Sequence, residues 1–140
     1  MIKYKQLPGN IEELIPAAVG YLHSRENILF DYLFGSLGRG KLSPLSDVDI
    51  AVYLSDSANP GEKKLEILER LIDLLKTDEI DVVILNNAPL TLKMSLLQSR
   101  KVVVDKVPFL RHQYESLVIR EYFDFSVKEM GILRRRFLNG

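Results

Sequence analysis

The sequence predicts a single α/β (α+β) domain over residues 1–140, built on a small mixed β-sheet of about four strands flanked by helices, with a long C-terminal helix. Three observations carry this. Short apolar runs rich in β-branched and aromatic residues alternate with segments of helical periodicity. A chain of 140 residues, 46% hydrophobic and 27% charged, suits one domain with a real core and lies far from the disordered class. No internal repeat, low-complexity segment or linker divides it.

The elements follow in order. From Asn10 to about Ser24, Ile11, Leu14, Ile15, Ala18, Val19 and Leu22 recur at helical spacing, with Asn10 as the expected N-cap and Glu12 and Glu13 beside the positive helix end. Pro16 inside this pattern predicts a kink or a late start. "NILFDYLFGS" and "DVDIAVYL" read as strands. "NPGEKKLEILERLIDLLKT" is amphipathic, with Leu65, Ile67, Leu68, Leu71, Ile72, Leu74 and Leu75 on a broad apolar face.

"EIDVVILN", nearly all apolar after Asp81, reads as a third strand covered on both faces. Pro89 opens a further helix, and "KVVVD" is a short fourth strand. From Val107 to about Leu138 the pattern is one helix carrying Leu110, Tyr114, Leu117, Val118, Tyr122, Phe125, Met130, Leu133 and Phe137. At 1.5 Å per residue it is about 45 Å long, more than a domain of this size requires. Part of its apolar stripe is therefore expected to protrude and meet another chain. Arg134, Arg135 and Arg136 complement the negative end of its dipole.

Composition narrows the function. Lys plus Arg equals Asp plus Glu at 19 each, which argues against a protein that binds nucleic acid through excess positive charge. The absence of cysteine excludes disulfides, thiol nucleophiles and thiolate zinc. His23 and His112 are far apart and lack neighbouring carboxylates at ligand spacing, so they read as surface residues. The opening "MIKYKQLPGNIEELIP" lacks the long apolar core of a signal peptide, and no run is long enough to span a bilayer. The expected location is the cytoplasm, with no membrane association.

The chemistry concentrates in "LFGSLGRGKLSPLSDVDIAVYL". Asp47 and Asp49 stand at i and i+2 of a strand, so both carboxylates leave one face, where they repel each other unless a cation intervenes. Hard Mg²⁺ suits such a pair, taking one or two carboxylates and completing its shell with water and phosphate. Gly35 and Ser36 end the preceding strand, glycine permitting a sharp turn and close approach to a ligand. "SLGRGK" reads as a turn or short helix whose amides make an anion site, with Arg39 and Lys41 adding positive charge. Asp81 opens the third strand and would join the pair if the strands were neighbours, allowing two-metal phosphoryl-type transfer. Asp31 and Asp105 are the alternatives for this third carboxylate, Asp31 reading as part of a solvated face.

Gly35-Ser36, ten intervening residues and Asp47-Val48-Asp49 resemble the signature of the nucleotidyltransferase superfamily that includes DNA polymerase β. "GSLGRGKLSPLSDVDIAV", with Arg39-Gly40 and Ser46 in place, resembles its minimal nucleotidyltransferase (MNT) branch. "IDVVILNNAPLTLKMSLLQSRKVVVD" and "REYFDFSVKEMGILRRRF" extend the likeness over most of the chain, the latter most like MNT antitoxins paired with HEPN-domain toxins.

The resemblance implies a polymerase β-like fold and transfer of AMP from Mg-ATP to a hydroxyl, with two Mg²⁺ ions. In the antitoxin branch the acceptor is a tyrosine of a HEPN ribonuclease toxin, so a hetero-oligomer is expected. It assigns Gly35, Ser36, Arg39 and Ser46 to the nucleotide, and Asp47, Asp49 and Asp81 to catalysis and metal. "QSRKVV" departs from relatives that carry glycine near Ser99 or Arg100. Two alternatives stand beside this: a binding-only antitoxin with an idle nucleotide site, and a nucleotidyltransferase acting on a small-molecule acceptor.

Overall fold

A computed structural model describes residues 10–35 and 47–138, with side chains as far as Arg136. The order is α1 (Ile11–Ser24), β1 (Ile28–Phe34), β2 (Val48–Leu54), α2 (Pro60–Leu75), β3 (Ile80–Ile84), a 3₁₀ turn (Leu85–Asn87), α3 (Leu90–Ser99), β4 (Lys101–Asp105) and α4 (Pro108–Leu138). The expected turn or helix through Ser36, Arg39, Lys41 and Ser46 lies outside the described residues.

The four strands form one mixed sheet in the order β3-β2-β1-β4. β1 runs antiparallel to both β2 and β4, whereas β2 and β3 are parallel and therefore need the crossover that α2 provides. One face carries Leu33, Val48, Ile50, Val52, Leu54, Ile80, Val82 and Ile84, and packs against Ile11, Ala18 and Leu22 of α1 and Ile67, Leu71 and Leu75 of α2. The other carries Phe30, Tyr32, Ala51 and Val83 beneath Leu96 and Leu97 of α3 and Leu110, Tyr114 and Val118 of α4. Phe30 stacks on Tyr53 with ring centroids 4.7 Å apart, and Tyr114 meets both rings at an angle.

Several local expectations change. α1 starts at Ile11 in spite of Pro16, because Pro16 and Glu12 are both exposed and the carbonyl deprived of its N–H partner faces water. Asn10 caps through its carbonyl, which accepts from Glu13 N–H at 3.0 Å, and its side chain makes no cap bond. α2 buries a narrower stripe than its composition suggests, leaving Leu65 exposed. β3 is covered fully on one face only, since it is an edge strand: Asp81 is exposed and Val83 half-buried on the other. Asp31 is wholly buried rather than solvated.

α4 divides in two. Its first part is fixed by Glu115, a buried carboxylate that accepts from Tyr32 Oη at 2.7 Å and pairs with Arg100 at 2.9 Å and Arg111 at 3.1 Å. Arg111 also pairs with Asp105 at the end of β4. Burial alone would raise the Glu115 pKa, but the Tyr32 hydroxyl and the two guanidinium groups outweigh it and hold the carboxyl below its usual range. Beyond Val118 no described side chain of α4 is buried, and Ile119, Phe123, Phe125, Val127, Met130, Ile132 and Leu133 are all exposed. Phe123 and Phe125 stand outside the core because the helix has left the sheet before it reaches them.

Candidate active site

The site lies where β1 ends and β2 and β3 begin. Antiparallel register sets Phe34 against Asp49, and parallel register sets Asp49 against Asp81, so a row of three strands brings the two carboxylates side by side on one face. Asp47, exposed, immediately precedes β2. The alternatives for the third carboxylate are excluded by placement. Asp31 pairs with Val52 and so faces the opposite side of the sheet, whereas Asp105 pairs with Phe30 near the far end of β1.

The chain leaves β1 through Gly35, whose φ of +63° is in the left-handed region that side chains disfavour. A Cβ on Gly35 would overlap Oδ2 of Asp49 and lie 3.3 Å from its Cγ. The backbone conformation favours glycine here, and a Cβ would in addition have to displace the Asp49 carboxylate. The Gly35 N–H donates to Ser99 Oγ at 3.1 Å, tying the end of β1 to the last residue of α3. Ser99 and Arg100 are the positions at which the sequence departs from the expected glycine. The structure uses both, Ser99 to hold Gly35 and Arg100 to hold Glu115. Sequence reasoning did not assign them roles, although a hydroxyl at that departure was the available signal.

Desolvation raises the Asp49 carboxyl to about 6, helped by the charge of Asp81 and then of Asp47. Among the described residues no group of three His, Cys, Asp or Glu side chains is gathered tightly enough to hold a metal ion unaided. Carboxylate oxygens such as those of Asp49, Asp81 and Asp47 are donors of the kind that suits a hard divalent cation. Ser36, Arg39 and Ser46, expected to bind nucleotide, lie outside the described residues. His23 and His112 are exposed and remote from the carboxylates in sequence and element.

α4 reaches this end of the sheet as well. It starts beside Asp105 at the far end of β4, and Glu115 meets Arg100 just before Lys101, which pairs with Leu33. The helix therefore runs from the far end toward the carboxylate end, and its exposed apolar half continues past it. No helix of the described residues is long and apolar enough to cross a membrane.

Comparison with known proteins agrees with this fold. The family model described as polymerase beta, nucleotidyltransferase matches residues 18–108. A bifunctional uridylyltransferase/uridylyl-removing enzyme of Burkholderia lata is 31% identical over 116 residues, covering 74% of this chain but only 13% of that protein. Similar solved structures include a toxin–antitoxin with AMP-PNP, at a TM-score of 0.70 and 23% identity over 87% of this chain and 94% of that one. Another is a complex of tri-AMPylated Shewanella oneidensis HEPN toxin with MNT antitoxin, at a TM-score of 0.65 and 21% identity over 88% and 92% of the two chains.

Proposed function

Because the chain belongs to the polymerase β nucleotidyltransferase family, we propose that it transfers AMP from ATP to a tyrosine hydroxyl of a paired HEPN-domain toxin and thereby acts as its antitoxin. The observation that carries the chemistry is the Asp49–Asp81 pair beneath Gly35. Support for the donor and acceptor comes from solved complexes of the same fold, one described with AMP-PNP and one with a tri-AMPylated HEPN toxin.

In this reading Gly35, its own N–H engaged by Ser99, makes the turn that lets Ser36, Arg39 and Ser46 hold the triphosphate. Asp47, Asp49 and Asp81 would hold Mg²⁺, as two ions in the full site. The metal, when bound, neutralises charge on the phosphates and on the leaving pyrophosphate. The acceptor oxygen forms a bond to the α-phosphorus, the bond from that phosphorus to the bridging oxygen breaks, and pyrophosphate departs. Asp81, the more exposed carboxylate of the pair, would take the acceptor proton or bind the metal beside it. The exposed apolar half of α4 supplies a surface for the toxin beside the carboxylates, making a hetero-oligomer in the cytoplasm.

The test incubates the purified chain, Mg²⁺ and the paired toxin with labelled ATP or, separately, labelled UTP, since the Burkholderia relative is named for uridylyl transfer. Label from ATP on a toxin tyrosine, lost in Asp49→Asn and Asp81→Asn, supports the proposal. Toxin neutralised equally well by those variants would favour antitoxin action by binding alone, the second reading that the exposed helix supports.

A further inference from the structure

We propose that the outer edge of β3 is the acceptor site, taking an extended segment of the modified protein as an added strand. This rests on the function proposed above. β3 pairs with β2 alone, so the backbone N–H and C=O groups along its other side meet no strand among the described residues. A groove of about 430 Å³ runs along that side, lined by Pro60, Gly61 and Lys64 of α2, Asp81 and Val83 of β3, and Leu92 of α3. Its volume falls within the roughly 300–1,000 Å³ typical of ligand clefts.

A strand edge that meets no other described strand is matched by polypeptide in extended form, whereas a small molecule has no complementary row to offer. Cross-strand register fixes what such a strand would present. Residues directly opposite one another leave the same face of a sheet with Cβ atoms about 4.5–5.5 Å apart. A residue opposite Asp81 would extend the existing row Phe34–Asp49–Asp81 by one, its side chain beside the carboxylates. β3 is only five residues long and charged at Asp81, which guards the edge against indiscriminate pairing. Lys64, exposed and without an ion-pair partner among the described residues, offers the segment a cationic contact.

Gly61 gives access to a test. It is exposed in the first turn of α2 and lines the groove, and a Cβ there meets nothing within 4 Å, so the position has room to carry a larger side chain beside the groove. In the complex with the paired HEPN-domain toxin, Gly61→Trp should slow labelling at least roughly tenfold, with binding of a fluorescent ATP analogue retained. Photoreactive p-benzoylphenylalanine at position 61 should crosslink to the toxin segment bearing the labelled hydroxyl, as mapped by mass spectrometry. Undiminished labelling by Gly61→Trp, loss of nucleotide binding together with labelling, or a crosslink elsewhere or nowhere would each overturn the edge site. If the wild type labels the toxin from neither ATP nor UTP, the proposed function falls. The crosslink then decides the edge site by itself, a hydroxyl-bearing extended segment supporting it and its absence refuting it.

Discussion

Gly35 lies against Asp49 so closely that a Cβ would overlap Oδ2 and push the carboxylate aside. The end of β1 thus sits over the carboxylate in the middle of the site. Gly35→Ala should destabilise the fold by about 1–3 kcal/mol, from the positive φ and the displaced carboxylate together. It should also abolish nucleotide transfer. Thermal denaturation beside the labelling assay checks both, and an active Gly35→Ala enzyme of native stability would refute the arrangement.

Asp49 and Asp81 repel each other across two parallel strands. Asp49→Asn and Asp81→Asn should reduce transfer by a factor on the order of 100 or more while leaving stability without metal unchanged or higher. The sign follows from the shift. A carboxyl raised to about 6 destabilises the fold as pH rises from about 4 through 6, so the gain in Asp49→Asn should appear above that range. Urea unfolding in chelator at pH 4 and pH 7.5 reads it directly.

Asp31 is buried on the opposite face, and neither carboxylate oxygen finds a hydrogen-bond partner of normal geometry. Burial pushes its carboxyl up to about 7, only partly offset by the Val104 backbone and Lys106. The folded state holds this proton more tightly than the unfolded state, so stability falls as pH rises from about 4 to 7, by at most about 4 kcal/mol. Asp31→Asn should remove most of that slope and stabilise the chain at pH 8. An unchanged slope would show that Asp31 is ionised in the fold.

Ser99 is a positioning residue, acting on the site through the Gly35 N–H. Ser99→Ala should cost about 0.5–1.5 kcal/mol of stability and lower kcat for transfer more than it raises KM for ATP. Ser99→Thr, which keeps the hydroxyl, should restore kcat. A stability loss with unaltered kcat would leave the bond a purely structural role.

Phe123 is 66% exposed on the part of α4 that overhangs the carboxylate end. Phe123→Glu should leave the melting temperature of the isolated chain within about 2 °C, since it buries little there. It should weaken association with the paired toxin at least roughly tenfold in titration calorimetry. Unchanged affinity would move the partner surface elsewhere.

How much was legible beforehand depends on the range of the interaction that decides each feature. Strand and helix identities rest on local periodicity, and the segments around Ile28, Val48, Ile80 and Lys101 all form strands. The need for glycine at position 35 and the acidic pair at 47 and 49 was visible for the same reason: backbone freedom and charge repulsion act within a few residues. Burial was less legible. The composition of α2 does not distinguish Leu65, exposed, from Ile67, buried, because the distinction depends on where the sheet lies. Asp31 looked like a solvated residue and is in the core, since only the packing of α1 over β1 closes that face.

The sequence by itself determined the element order, the Gly35 turn, the closely spaced acidic pair at 47 and 49 and a C-terminal helix too long for the body, because each follows from spacing along one chain. Tertiary structure alone decided that Asp81 rather than Asp31 or Asp105 stands beside Asp49, that Ser99 holds Gly35, and that β3 is left as an open edge. It also decided that α4 overhangs the carboxylate end, through the bond from Tyr32 and the ion pair to Arg100 that hold Glu115. These are choices of strand order and direction. They turn on which apolar faces find each other across dozens of residues, and no local pattern encodes that.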